Sequence, residues 1–175
     1  REVDSKVPTI AILSIQANGV SKGNASNVAN YVAEKYQEVS SKSRVLYLDD
    51  IRDMLRVENS EGLLDCFTDS CISKVGGVIG ADLVIIGNLG QVGKNFLFSL
   101  KMIDVTRDKT LSRITKTVES DVGLILNEIP GMVDKLANAQ ASIHAVKPSV
   151  PDSAGESTAA SPFSEKEVWV NGGTY

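Results

Sequence analysis

Apolar and polar positions alternate along this chain in ways that predict five strands. Mainly apolar runs at Ile10–Ile15 and Leu83–Ile86 have no clean alternation, which is typical of strands covered on both faces. They predict central strands over Val7–Ile15 and Asp82–Ile86, with a short parallel strand at Arg44–Leu48. Two further strands follow as an antiparallel meander. The first places Phe96, Phe98, Leu100 and Met102 on one face, and the second is the polar stretch Leu111–Val118.

Helical spacing of apolar residues predicts four helices between and after these strands. They begin near Ala25, Ile51, Cys71 and Val122. Pro130 interrupts the last pattern and predicts a kink or a break there, because proline removes one backbone donor. The expected fold class is α/β, with a mixed sheet of about five strands that joins a parallel βαβ unit to an antiparallel meander under a cover of helices.

Composition limits both the domain count and the partners. A chain of 175 residues has room for one domain and its tails, and we assign that domain to residues 1–141. Residues 142–167 are rich in Pro, Ser and Ala, which predicts a disordered linker. The net charge of −4 leaves no basic footprint for nucleic acid. No apolar stretch approaches the ~18 residues of a transmembrane segment.

Three groups of residues have a chemical interpretation and a structural one. Asp49, Asp50 and Asp53 are close enough in sequence to bind a divalent ion, but a cap on the following helix is favoured. Glycines at 87, 90 and 93 have the spacing of a phosphate loop, yet a strand follows them, so turns and bulges are favoured. A lone His144 beside a linker is a poor candidate for catalysis. We therefore predict no catalytic, cofactor or metal residue.

The segment from Gly80 to Val105 carries a family resemblance. It reads Gly-Ala-Asp, four apolar residues and Gly87, then a short turn, an alternating strand ending in Asp104-Val-Thr, and a polar strand. This order resembles the TolB N-terminal-domain-like fold, shared by curli-secretion lipoproteins and penicillin-binding-protein activator lipoproteins. The resemblance covers about Val7 to Leu136. It implies a non-catalytic module of the bacterial envelope, located in the periplasm or at the outer membrane, with a secretion leader absent from this sequence.

Cys66 and Cys71 are the two cysteines of the chain. Their spacing permits a disulfide only if the segment is looped, because residues five apart in a helix are ~8 Å apart. Two free thiols remain the alternative. Some envelope members of the resembled family have a similar pair just before this helix, and the resemblance therefore implies a structural disulfide. A disulfide would agree with an oxidising compartment.

The last residues resemble a second family. Residues 168–175 contain an apolar pair and end in Gly-Gly-Thr-Tyr. This is similar to the opening strand of formylglycine-generating-enzyme-like domains, also called sulfatase-modifying-factor domains. The resemblance implies that the chain ends just inside a truncated following domain, to which the first domain is tethered. Any enzymatic activity would belong to that downstream domain.

The predicted function is binding of a protein or another envelope component, without a cofactor. Two surfaces are candidates: the polar edge strand and the loop after the first strand. The candidate partner-binding residues are Arg113, Thr115 and Lys116 on the strand and Asn18 and Lys22 in the loop. A small-ligand sensor is the alternative, with its pocket at the carboxyl ends of the parallel strands. An enzyme using the cysteine pair or an acidic site is a third, weaker interpretation.

Overall fold

A computed structural model describes residues 6–65 and 67–145. Its five strands form one sheet in the order β2-β1-β3-β4-β5. The strands are β1 Thr9–Asn18, β2 Arg44–Leu46, β3 Leu83–Val92, β4 Asn95–Asp104 and β5 Lys109–Glu119. The helices are α1 Lys22–Val39, α2 Leu48–Val57, α3 Asp69–Ile79 and α4 Val122–Ala145, with a 3-10 helix at Glu61–Asp65 before α3.

The sheet topology confirms the predicted α/β class. β1 pairs in parallel with β2 on one side and with β3 on the other, as expected for a βαβ unit. β3, β4 and β5 are antiparallel, so they form the predicted meander. Both apolar runs are central, because β1 and β3 each have a neighbour on either side. β5 ends the described sheet and is the polar edge strand that the sequence predicts.

Two apolar layers cover the two faces of the sheet. On one face, residues of α1 and α4 such as Val32 and Ile129 pack against the strands around Phe98. On the other face, α2 and α3 pack against a smaller set that includes Val84 and Ile103. This second layer covers only the part of the sheet where β1 and β3 begin. The remaining half of that face is the part on which the candidate site lies.

Three helices begin two or three residues before the apolar stripe that predicts them. α1 begins at Lys22 because the hydroxyl of Ser21 caps it by accepting the N–H of Asn24 at 3.2 Å. α2 begins at Leu48, and the carboxylate of Asp50 accepts the N–H of Tyr47 at 3.3 Å. Asp50 therefore caps the helix from inside its first turn. The first residues of α1 and α3 contribute no apolar pattern, and Leu48 at the start of α2 continues the apolar run of the preceding strand, so these starts could not be read from periodicity.

The glycine series lies mostly within a strand, which corrects the prediction that it forms turns and bulges. β3 continues to Val92, so Gly87 and Gly90 pair with Leu100 and Leu97 of β4. Gly93 alone occupies the turn, where its φ of +60° suits a tight hairpin. A side chain at Gly87 would be crowded, since a Cβ there would lie 2.9 Å from Cγ1 of Ile15.

The Gly-Ala-Asp sequence before β3 joins that strand to β1. The carboxylate of Asp82 accepts the N–H of Thr9 at 2.8 Å, and the N–H of Asp82 donates to the carbonyl of Thr9 at 2.8 Å. Its other carboxylate oxygen lies 3.2 Å from Nζ of Lys6. Asp82 is therefore a structural residue that aligns the starts of two parallel strands.

α4 passes through Pro130 without a break, which corrects part of the prediction for this helix. No helix in the described ranges is long and apolar enough to cross a membrane. Residues 146–175, which contain most of the predicted linker and the predicted start of a second domain, lie outside the described residues. Cys66 also lies outside them, and its disulfide with Cys71 remains a prediction.

Candidate functional site

Half of the sheet face that carries α2 and α3 has none of the described helices over it, and we call this half the open face. Its residues come from the later part of β1 and β3 and from the facing parts of β4 and β5. They are Gln16, Asn18, Asn88, Gly90, Leu97, Ser99, Lys101, Arg113, Thr115 and Thr117. Leu97 is 42% exposed, although it lies in the middle of a strand. The open face is therefore accessible across four adjacent strands.

Four uncharged polar side chains form a row across the open face, which we call the polar row. Gln16 is opposite Asn88, Asn88 is opposite Ser99, and Ser99 is opposite Thr115. Residues directly opposite in neighbouring strands project to the same face of the sheet. The polar row thus presents two amides and two hydroxyls side by side.

An irregularity in β1 is needed to place Gln16 in this row. Between the pairs Ile12–Ile85 and Ile15–Gly87, β1 has one residue more than β3. Without this extra residue, alternation would turn the side chain of Gln16 towards the core on the α1 face. The bulge therefore places Gln16 of β1 on the same face as the polar residues of β3, β4 and β5.

Basic groups lie beside the polar row, at its boundary with α3. Lys101 of β4 forms an ion pair with Asp69, and the second carboxylate oxygen of Asp69 accepts the hydroxyl of Thr110 at 3.2 Å. The hydrogen bond from Lys101 lowers the pKa of Asp69, with Thr110 and the charge of Arg113 acting in the same direction. Arg113 is exposed and makes no ion pair with a described carboxylate. Arg113 is thus available to an outside anion.

Stability should depend on the charge of Asp69 at acidic pH. A carboxylate with a lowered folded-state pKa stabilises the fold at pH values above its unfolded pKa of ~3.9, and this contribution is lost as pH falls through the folded pKa. Asp69 is 46% exposed, so solvent limits the effect to about 1 kcal/mol or less. Urea unfolding at pH 7 should show Asp69→Asn less stable than the parent chain. The difference should shrink as pH falls below ~3.9 and through the folded pKa of Asp69, and a difference that stays constant over this range would contradict this account.

A cleft of about 380 Å³ adjoins the open face, near the start of α1. Lys22 and Ser26 of α1 line one wall, Arg52 of α2 lines another, and Gln16 and Phe67 form the border that it shares with the open face. Arg52 is bound to Asp49 at 3.1 Å, whereas Lys22 makes no ion pair with a described carboxylate. The cleft lies where the parallel strands end, which is where the sequence predicts a pocket.

The predicted partner-binding residues do not form one cluster. Arg113, Thr115 and Asn18 share the open face, with Asn18 one row beyond Gln16. Lys116 alternates to the opposite face, where its Nζ lies 3.4 Å from Glu128 of α4. Lys22 lines the cleft. The structure therefore divides the five residues among two sheet faces and a pocket.

Two residues of the polar row lie outside both candidate surfaces that the sequence predicts. Asn88 and Ser99 lie in the polar row, but each stands in a strand whose apolar pattern dominates the local sequence. The signal that could have identified them is the hairpin register, since counting outwards from the Gly93 turn pairs Asn88 with Ser99.

The acidic residues near α2 have structural contacts. Asp49 binds Arg52, Asp50 caps the helix, and Asp53 lies 3.6 Å from Arg56. Within the two described ranges, no group of three or more His, Cys, Asp or Glu residues is placed to hold a metal ion. Cys71 lies in the first turn of α3 and packs against the α2–α3 layer.

Similarity to known proteins is found by comparing structures and not by comparing sequences. No protein-family model matches the sequence, and no curated protein matches it. The C-terminal domain of LpoB from Salmonella enterica superposes with a TM-score of 0.55 at 10% identity, covering 65% of this chain and 84% of that one. Lipoprotein GNA1162 from Neisseria meningitidis gives 0.53 at 13% identity, covering 74% and 96%. The likeness is one of fold.

These similarities agree with the TolB N-terminal-domain-like fold that the sequence predicts. The C-terminal domain of LpoB from Escherichia coli also matches, with a TM-score of 0.52 at 8% identity over 65% of this chain and 84% of that one. The predicted start of a formylglycine-generating-enzyme-like domain receives no support from these comparisons.

Proposed function

We propose that this domain is a non-catalytic interaction module of the bacterial envelope and that it binds a protein partner by strand addition to β5. The observation that carries the proposal is the outer edge of β5. This strand is 11 residues long and has β4 as its one neighbour in the described sheet. Its outer backbone groups are thus free to pair with an extended segment of another protein.

The side chains of β5 make the edge selective. Long unpaired edges invite aggregation, and charged residues on the strand discourage it. Arg113 projects on the open face, while Lys116 projects on the face that carries α4. A partner strand beside β5 would therefore meet basic residues on both faces, which favours a segment with acidic side chains on both of its faces.

The envelope location is supported by the fold and by the cysteine prediction. The similar Neisseria structure is a lipoprotein by name, and the LpoB domains share the same architecture. A disulfide between Cys66 and Cys71, if formed, would be suited to the periplasm. We extend the proposal to a tether that joins the domain to a downstream domain through residues 142–167.

The non-catalytic part rests on the contacts of the ionisable groups near the site. The amine of Lys101 is held by Asp69, and Asp69 also binds Thr110. Asp49 is held by Arg52. These groups already have structural partners that a catalytic acid, base or nucleophile would have to leave.

Charge reversal on β5 tests the strand-addition proposal. The intact chain is immobilised, exposed to a bacterial envelope extract, and the captured protein is identified by mass spectrometry. Arg113→Glu and Lys116→Glu should each lower capture of the same protein by about tenfold, since each places a like charge against an acidic partner strand. Lys135→Glu makes the same charge change on the exposed surface of α4 and should leave capture unchanged.

Two results would count against the proposal. Capture that is insensitive to both reversals would eliminate the β5 edge as the binding surface. Substrate turnover by the purified chain, abolished by replacing Asp49 or the cysteines, would eliminate the non-catalytic interpretation.

A small-ligand sensor is the second candidate, and the cleft beside α1 favours it. Its volume of about 380 Å³ is within the usual range for small-molecule sites, and Lys22 and Arg52 line it. Arg52 is paired with Asp49 and Asp65 also lines the cleft, so Lys22 is the basic group that an anionic ligand would meet. A thermal-shift panel of small anions separates the candidates, because a ligand of this cleft would raise the melting temperature without affecting capture through β5.

A further inference from the structure

The polar row has the composition of a surface for a hydroxyl-rich ligand. It spans four strands, so its ends are about 14 Å apart by three strand spacings. The amide groups of Gln16 and Asn88 each offer donors and an acceptor, and the hydroxyls of Ser99 and Thr115 offer both. The row runs across the strands, whereas a partner strand beside β5 would run along them. It is therefore a different surface from the β5 edge.

The surroundings of the polar row add two basic groups, Arg113 and the Asp69-paired Lys101, and two apolar groups. Arg113 lies in the next row towards α3, and no described carboxylate pairs with it. Phe67 is 47% exposed and borders the same shallow depression of about 200 Å³ as Arg113 and Asn88. Towards the hairpin, Gly90 has no side chain and leaves open space beside Leu97.

This combination fits one class of macromolecule better than the others. Protein interfaces are enriched in aromatic and other apolar residues at their centres, but the centre of this surface is made of amides and hydroxyls. Nucleic acid binding needs many phosphate contacts from basic residues. The open face offers Arg113 for such contacts, but its neighbour Lys101 is already paired with Asp69. A chain of sugar rings supplies hydroxyls to the row, and a ring carboxylate supplies a partner for Arg113.

We propose that the open face binds a carboxylated oligosaccharide that lies across the four strands. Its ring hydroxyls bond to the polar row, a carboxylate binds the guanidinium of Arg113, and one ring packs against Phe67. This inference goes beyond the proposed protein partner, since it assigns a different ligand to a different surface.

Titration followed by amide NMR tests the proposal on the intact 175-residue chain. The probes are an oligogalacturonate, a neutral malto-oligosaccharide of the same length and a polyglutamate peptide of the same charge. The oligogalacturonate should shift the amides of the polar row and of Arg113. The neutral sugar should bind there about tenfold more weakly, because it lacks the charge-assisted bond. The peptide should not shift Gln16, Asn88 or Ser99, the members of the polar row that lie outside β5.

Three substitutions and one matched control sharpen the test. Arg113→Gln and Asn88→Ala should each weaken oligogalacturonate binding by about tenfold. Gly90→Val should block binding by filling the open face, while the fold accommodates it, since a Cβ at Gly90 meets nothing closer than Oδ1 of Asn88 at 3.9 Å. Lys116→Gln removes a charge from the same strand on the opposite face and should have no effect. Unchanged melting temperatures would show that all four variants fold.

The proposal is overturned if the oligogalacturonate shifts no amide of the open face, if Arg113→Gln binds it normally, or if polyglutamate shifts Gln16, Asn88 and Ser99 equally well. Equal binding by polyglutamate would assign the open face to acidic peptides. Variants of Lys116 distinguish a failure of the oligosaccharide proposal from a failure of the strand-addition proposal. Reversal of the Lys116 charge should lower protein capture through β5, yet its neutralisation should leave oligosaccharide binding unchanged.

Discussion

Replacing Gly76 with alanine is expected to destabilise the domain by about 1–3 kcal/mol. Gly76 lies on the side of α3 that packs against the sheet. An added Cβ would lie 2.4 Å from Cγ2 of Val105 and 3.1 Å from Cγ2 of Val84. Val84 is fully buried, so it has little room to move. Accommodating the methyl group therefore requires Val105 or α3 to move, which disturbs the packing of the α2–α3 layer.

The neighbouring glycine is the control for this prediction. A Cβ at Gly77 meets no atom within 4 Å, and alanine is favoured over glycine in a helix by about 1 kcal/mol. Gly77→Ala should therefore raise the free energy of unfolding while Gly76→Ala lowers it, as measured by urea denaturation. Changes of the same sign in both variants would contradict the close packing assigned to Gly76.

Removing the hydroxyl of Tyr36 is expected to cost about 1–3 kcal/mol of stability. Tyr36 is completely buried, and its hydroxyl donates to Oε1 of Gln140, which joins α1 to α4. Gln140 is 6% exposed, and its amide also donates to Oγ of Ser43 at 3.4 Å. Tyr36→Phe would leave Oε1 of Gln140 buried without this donor. Burial also raises the pKa of Tyr36, so the phenol stays protonated and able to donate in moderately alkaline solution.

A double mutant separates the hydrogen bond from the packing of the ring. Tyr36→Phe combined with Gln140→Leu removes both partners, and it should recover most of the stability lost by Tyr36→Phe alone. Tyr31→Phe on the more accessible side of α1 provides a control that should change stability by less than about 0.5 kcal/mol. If Tyr36→Phe behaves like Tyr31→Phe, the buried bond contributes nothing measurable.

The apolar pattern was sufficient to predict the sheet. Strands buried on both faces need apolar side chains on both, and this requirement distinguished Ile10–Ile15 and Leu83–Ile86 from every other segment. A strand, a helix and a second strand in succession then implied parallel pairing, and short turns implied the meander. The polar composition of Leu111–Val118 correctly placed the last strand at an edge.

Strand length could not be predicted in the same way. β1 continues to Asn18 and β3 to Val92, although these segments are polar or glycine-rich. Strands pair through hydrogen bonds between backbone groups, and these bonds form whether the side chain is apolar or polar. A strand can therefore continue beyond the helix that covers it, through residues that are polar or glycine. The sequence therefore places a loop where the strands continue, and the open face went unpredicted for the same reason.

The polar row is the part of the site that sequence reasoning was least able to find. Its members are separated by up to 99 positions, from 16 to 115, and they meet only through strand register. The register of β3 with β4 could be counted from the hairpin. The register of β1 with β3 depends on a bulge, and a one-residue error would have turned Gln16 to the other face.

The separation of the open face from the two apolar layers has an evolutionary consequence. Surface positions such as Asn88 and Thr115 support little packing, so substitutions there usually change stability by less than about 0.5 kcal/mol. Substitutions at Gly76 or Tyr36 do not have this freedom. Lineages that inherit such a domain can therefore exchange its surface chemistry one residue at a time while selection for folding acts elsewhere, until little beyond the backbone path remains in common.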